Sequence, residues 1–199
     1  FNASLKKTDE KLEKKNYDII RGNVLWAERE VRDEPMRAKL MASPINVEIE
    51  NMGTNINSKQ GDYYGAVTAD ESMFLFTSRR EGSIGKMDTD DKQWPEDFWY
   101  STKDSAGNWT LAKNLGGPIN SSSHEGLPTL SADGQTIYFY MSGAKGDGNI
   151  YQSTINGDEW TKPELMEFCE DIYWETQPSI SSDGNTIFFV SKRDKKDPN

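Results

Sequence analysis

One segment occurs three times in this chain at fixed offsets. Gly65-Ala-Val-Thr-Ala-Asp70-Glu-Ser-Met-Phe-Leu-Phe-Thr-Ser78 lies 63 residues before Pro128-Thr-Leu-Ser-Ala-Asp133-Gly-Gln-Thr-Ile-Tyr-Phe-Tyr-Met141. That copy lies 50 residues before Pro178-Ser-Ile-Ser-Ser-Asp183-Gly-Asn-Thr-Ile-Phe-Phe-Val-Ser191. The offset of 63 also relates Asn51-Met-Gly-Thr-Asn-Ile-Asn-Ser to Asn114-Leu-Gly-Gly-Pro-Ile-Asn-Ser. A second motif falls between the copies: Asp97-Phe-Trp-Tyr-Ser101 with Trp109, and Asn149-Ile-Tyr-Gln-Ser153 with Trp160. Self-similarity at a period of about 40–50 residues, with about four short strands per unit, is the sequence signature of a β-propeller.

Each copy has a readable physical plan. Thr129-Leu-Ser is one strand, and Ala132-Asp-Gly-Gln turns the chain, because Asp and Gly tolerate the dihedrals of a tight turn. Ile137-Tyr-Phe-Tyr is a buried second strand, and Asn149-Ile-Tyr-Gln-Ser is a third. Asn156-Gly157 turns again before Trp160, whose strand completes the unit. The first copy is 13 residues longer, mainly between Arg80 and Asp97, where Met87-Asp-Thr-Asp-Asp-Lys-Gln-Trp-Pro-Glu is inserted. Val47 and Ile49 alternate with Glu48 and Glu50, which is strand periodicity.

Upstream of the repeats the texture is helical. Leu5, Leu12, Ile19, Ile20, Leu25, Val31 and Leu40 recur at loosely helical spacing among Lys and Glu. Ser4 is placed to cap the start, and Pro35 is expected to divide the helix. The chain therefore reads as a helical segment over residues 1–44, then a partial β-propeller over 45–199. Its blades span 45–123, 124–174 and, incompletely, 175–199. Propellers close with about 4–8 blades, so 199 residues are expected to be a fragment. The first residue, Phe1, fits a mature or trimmed species.

Composition narrows the function. Apolar residues are 34% and aromatics 11%, with six Trp, which argues against a disordered chain. Residues 1–50 hold ten basic and ten acidic side chains, so the whole net charge of -10 lies in the repeats. Nucleic acid is an unsuitable partner for such a surface. No apolar run is long enough to span a membrane. The single cysteine, Cys169, excludes an internal disulfide and a multi-thiolate metal site. It aligns with Ile56 and Ile119, so it is expected to be a buried small hydrophobe.

With those residues in view, the chain resembles the TolB-like, PD40-type propeller proteins of Bacteroidota cell envelopes. The matching stretches are Pro44-Ile-Asn-Val-Glu-Ile-Glu-Asn-Met-Gly-Thr-Asn-Ile-Asn, Ser72-Met-Phe-Leu-Phe-Thr-Ser-Arg79, Leu115-Gly-Gly-Pro-Ile-Asn-Ser and Leu130-Ser-Ala-Asp-Gly-Gln. The resemblance implies tetratricopeptide-like helices before the propeller and an OmpA-like peptidoglycan-binding domain after it. No OmpA-like sequence lies in this chain, so peptidoglycan contact is expected only through a separate domain. The resemblance also implies a place at the periplasmic face of the outer membrane. There the chain would work as a scaffold, in some members linked to type IX secretion and gliding. Two departures are Met141, where Ser78 and Ser191 carry serine, and Ser191-Lys-Arg-Asp-Lys-Lys-Asp-Pro, which lacks the glycine-rich stretch of Gly146-Asp-Gly-Asn149-Ile-Tyr.

Little points to catalysis. His124 is the only histidine, sits in a turn beside Glu125, and aligns with Gly61 and Trp174. No shared acid–base set follows from it, and the histidine is expected to be solvated. Residues 101–109 and 153–160 loosely resemble the Asp-box turns of sialidase propellers. A sialidase would also need an arginine cluster, and the repeat region holds only Arg79, Arg80 and Arg193. A carbohydrate-binding or sialidase-like propeller is therefore the alternative to a non-enzymatic, protein-binding scaffold. Arg79, Arg80, Trp94 and Asp97 are the candidate partner-binding residues, with Trp94 the best candidate for an exposed anchor. No cofactor is expected. Calcium is a weak alternative at Asp88-Thr-Asp90-Asp91 and Gly146-Asp147-Gly148-Asn149, which lack the EF-hand arrangement. Asn2, Asn108 and Asn120 fit the N-glycosylation pattern, by chance if the source is bacterial.

Overall fold

A computed structural model describes Lys14 and residues 23–24, 26–143, 147–170 and 173–193. The expected cap at Ser4, most of the early helical stretch, Asn2, Gly146 and the segment after Arg193 lie outside the described residues. The chain divides into two units, Phe1–Glu50 and Asn51–Asn199.

In the first unit a helix, α1, covers residues 26–42 without interruption. Pro35 does not divide it. Proline removes one N–H donor and crowds the preceding turn, yet the helix runs on through it, and an exposed ion pair spans the site. Arg37 donates to both carboxylate oxygens of Glu30, at 2.5 and 2.8 Å. Residues 44–50 form no strand, contrary to their alternation, and Ile45, Val47 and Ile49 are exposed. Alternation supplies two faces but no ladder partner, and none pairs with this segment among the described residues.

Among the described residues the second unit holds three antiparallel sheets. The first orders β1 (Asp62–Val67), β2 (Met73–Ser78), β3 (Asp97–Thr102) and β4 (Lys113–Asn114) consecutively. The second runs β5 (Glu125–Leu130), β6 (Thr136–Ser142), β7 (Gly148–Asn156) and β8 (Glu159–Trp160), with β9 (Glu164–Leu165) also on β7. The third pairs β10 (Glu175–Ile180) with β11 (Ile187–Ser191). The protein is therefore mainly β. Its sheets are open, and no closed ring forms among the described residues.

The repeat is visible atom by atom. The β1–β2, β5–β6 and β10–β11 turns are held alike: Thr68, Ser131 and Ser181 donate their hydroxyls to Asp70, Asp133 and Asp183 at 2.5–2.7 Å. Those hydroxyls in turn accept the N–H of Met73, Thr136 and Thr186 at 2.9–3.1 Å. Such side-chain bonds fix a tight turn locally. The first strand of each pair carries a bulge with one left-handed residue: Tyr64 (φ 53°), Leu127 (φ 58°) and Gln177 (φ 54°). Ser101 and Ser153 each donate to the chain's next return, at Thr110 O (2.6 Å) and Thr161 O (2.7 Å).

The core joins the first sheet to the second. Leu75, Phe98, Ile119, Ile137 and Phe139 are buried together, and the Phe98 and Phe139 rings meet edge-on at 5.3 Å. Ile56, Ile119 and Cys169, equivalent by the offsets, are all buried. The third sheet differs: Phe188, equivalent to fully buried Leu75, is 66% exposed.

Candidate functional site

The long connection from β2 to β3, which carries the insertion of the first copy, borders a cleft of about 490 Å³. Arg79, Lys86, Asp88 and Gln93 line one side, and Ser122 and His124, from the turn entering β5, line the other. Arg79 leaves the end of β2 and is clamped. Its Nε donates to Trp94 O at 3.0 Å, its Nη2 pairs with Asp91 Oδ2 at 2.9 Å, and its backbone carbonyl accepts from Trp94 N. Lys86 makes no ion pair among the described residues.

His124 is only partly solvated. Its Nδ1 lies 3.3 Å from Glu96 Oε2 and the same distance from the Glu96 backbone N. A neutral ring can accept the backbone N–H, and a protonated ring faces the carboxylate. The Glu96 carboxylate therefore raises the histidine's pKa above its ordinary value, burial opposing. The imidazole in turn holds Glu96 low, with Tyr63, which donates its hydroxyl to Glu96, helping against burial. Burial and the Glu96 contact push the Tyr63 phenol upward.

The structure separates the four candidate partner-binding residues. Arg79 reaches the cleft. Trp94 is half-buried and contributes its backbone to holding Arg79. Arg80 turns inward: its guanidinium pairs with Asp62 Oδ1 at 2.5 Å, donates to Ile56 O, and lies over the Phe76 and Trp99 rings. Asp97 is fully buried. Its Oδ2 accepts from Ile84 N and Asn114 Nδ2, both at 2.7 Å, and its Oδ1 has no partner among the described residues.

The acidic loop is occupied by its own backbone. Asp88 Oδ1 accepts from Asp90 N and Asp91 N, which lowers its pKa. Asp91 Oδ1 accepts from Gln93 N, while its Oδ2 pairs with Arg79. Among the described residues no three His, Cys, Asp or Glu side chains gather as a metal site would require. Asn120 is buried with its amide donating to Phe98 O and Asn114 Oδ1, so the folded chain does not offer it for glycosylation. Cys169 is buried, and burial raises its thiol pKa.

One repeated feature escapes a motif search. Asp62, Glu125 and Glu175 share the offsets of 63 and 50, open the first strand of each sheet, and point inward. Ser78 and Arg80 serve Asp62, and Ser191 and Arg193 serve Glu175 in the same geometry. Arg193 lies over Phe189 as Arg80 lies over Phe76. The recurrence of an acid at one slot and an arginine 18 residues later in two copies was the available signal.

Among the described residues, no helix is long and apolar enough to cross a membrane. In comparison with known proteins, no family model matches this chain, and no curated protein matches it significantly.

Proposed function

We propose that this chain is a non-enzymatic binding module, a partial β-propeller that serves as a scaffold in a bacterial cell envelope and receives an acidic group of a protein partner at the Arg79 cleft. The carrying observation is a contrast between two arginines. Arg80 repeats as Arg193 and is consumed by the fold. Arg79 belongs to the copy with the insertion and borders an open cleft with Lys86 and His124. The sheets form a rigid base, and a loop on a rigid base is a common place for recognition. The envelope setting rests on the resemblance of the repeats.

An arginine already presented to a carboxylate can exchange Asp91 for a ligand carboxylate with little rearrangement. The test is titration of the full chain with an acidic decapeptide of Asp and Glu, against a neutral peptide of equal length. Binding that weakens with salt and is lost in Arg79→Ala supports the reading. Equal binding of both peptides, or acidic binding unchanged in Arg79→Ala, overturns it.

A second reading, a carbohydrate-binding or sialidase-like propeller, is favoured by Arg79 bordering an open cleft, where its guanidinium suits the carboxylate of an acidic sugar. A glycan array and a chromogenic sialoside assay decide it. Sialoside turnover that depends on Arg79 would replace the scaffold reading.

A further inference from the structure

Arg79 is held from two sides that differ in kind. On one side is backbone: its Nε donates to Trp94 O at 3.0 Å, and Trp94 N donates to Arg79 O. On the other side is a side chain, Asp91, whose Oδ2 lies 2.9 Å from Nη2. The Arg79 side chain is 20% exposed and the Asp91 side chain 42%. Asp91 can leave for water at little cost, and the Trp94 contacts keep the guanidinium in place when it does.

Asp91 is presented by a loop that closes on itself. Asp88 N donates to Gln93 O at 2.8 Å, and Lys92 N donates to Asp88 O at 3.1 Å. Asp88 Oδ1 accepts from Asp90 N at 2.6 Å, and Asp91 Oδ1 accepts from Gln93 N at 2.9 Å. None of these bonds involves Arg79, so the loop aims the Asp91 carboxylate independently of the ion pair. A tethered group of this kind competes at an effective concentration on the order of millimolar. The loop belongs to the insertion of the first copy, and the positions equivalent to Arg79 in the other copies are Ser142 and Lys192.

We propose that Asp91 is a built-in stand-in for the ligand, an autoinhibitory contact that occupies the Arg79 guanidinium until an outside carboxylate displaces it. The inference rests on the Arg79 cleft being the binding site, and it adds how that site is regulated. The apparent affinity for an outside ligand is scaled down to the fraction of time that the guanidinium is free. A single carboxylate competes poorly with a tethered one. A ligand with several acids does better, because Lys86 lines the same cleft and makes no ion pair among the described residues. The insertion thus sets a threshold that favours clustered acidic groups.

The test is titration calorimetry of the full chain with the acidic decapeptide at low salt, together with amide NMR of the loop. Asp91→Asn keeps an acceptor for Gln93 N and removes the charge. It should bind the peptide about two- to five-fold more tightly than the unaltered chain. Asp90→Asn removes the same charge one residue away and should leave the affinity close to that of the unaltered chain. Adding Arg79→Ala to Asp91→Asn should abolish the gain. In the unaltered chain the peptide should shift the Gln93 amide as Asp91 swings away. If Asp91→Asn binds no more tightly while binding still needs Arg79, the autoinhibition is overturned and the cleft remains the site. An equal gain in Asp90→Asn overturns it too. Binding indifferent to Arg79 in every variant, or no binding at all, overturns the cleft as the site and the autoinhibition with it. If Asp91→Asn disturbs the loop, the unaltered chain decides, because a bound peptide that leaves the Gln93 amide unmoved overturns the proposal.

Discussion

Arg80 closes on Asp62 at 2.5 Å with both side chains nearly out of solvent, at 11% and 13% exposure. The pair ties the connection after β2 to the start of β1. Burial alone would raise the Asp62 pKa, but donors from Ser78, Ser58 and Arg80 outweigh it and hold the carboxyl below its ordinary value. Arg80→Ala removes the cation and strands the carboxylate. Breaking a buried pair from one side costs about 3–5 kcal/mol, to be read from urea denaturation at pH 7. Arg80→Lys is expected to recover only part of that loss, because a lysine cannot reproduce the fork whose Nη2 meets Asp62 and Ile56 O while its Nε meets Ser78 Oγ.

The Phe98 side chain is central to the first sheet-to-sheet core. Phe98→Ala should destabilise by about 3–5 kcal/mol through lost burial and the cavity it leaves. Phe188→Ala, on an exposed equivalent face, should stay within about 0.5 kcal/mol. Equal effects in denaturant unfolding would contradict this division of the core.

The turns and bulges predict two substitutions of opposite sign. Gly134 has φ +68°, and a Cβ there would meet Thr68 Cγ2 at 3.0 Å. Gly134→Ala should destabilise by about 1–2 kcal/mol. Gln177 is exposed and adopts φ 54°. Gln177→Gly should be neutral or stabilise by up to about 1 kcal/mol, since relief of the left-handed strain offsets the added freedom of the unfolded chain. Thermal midpoints measured side by side check both.

His124 is the only histidine, so its NMR titration is free of overlap. Its raised pKa means that its contribution to stability is complete below the ordinary histidine value and is lost as pH climbs through the folded value. Glu96→Gln removes the largest cause of the shift and should return His124 to, or below, the ordinary value. A titration unmoved by Glu96→Gln would show that the ring is not engaged by that carboxylate.

The repeat was legible because Thr68/Asp70, Ser131/Asp133 and Ser181/Asp183 act locally, within six residues, and local hydrogen bonds leave a local spelling. The apolar slot shared by Ile56, Ile119 and Cys169 was legible for the same reason. Pro35 misleads because a proline costs a helix one donor and some crowding without obliging it to end, and α1 runs through it. Val47 and Ile49 alternate, but alternation does not supply a neighbouring strand. Asp97 and Arg80 look like surface charges in a polar stretch, and their burial is decided by a sheet that starts at Glu125 and by Asp62, 18 residues upstream. The propeller reading beyond a mainly antiparallel β fold stays a proposal of the repeat pattern.

The two-strand sheet has a consequence for handling the protein. Among the described residues nothing pairs with the outer side of β11, whereas β2 and β6 are each covered by a full third strand. A bare strand border with Phe188 and Val190 exposed is a template for adding foreign strands. Lys192 follows it at once and acts as a gatekeeper, repelling other copies at low salt. Concentrated, high-salt preparations should therefore aggregate from this border first, and replacing Phe188 with Lys should keep them clear.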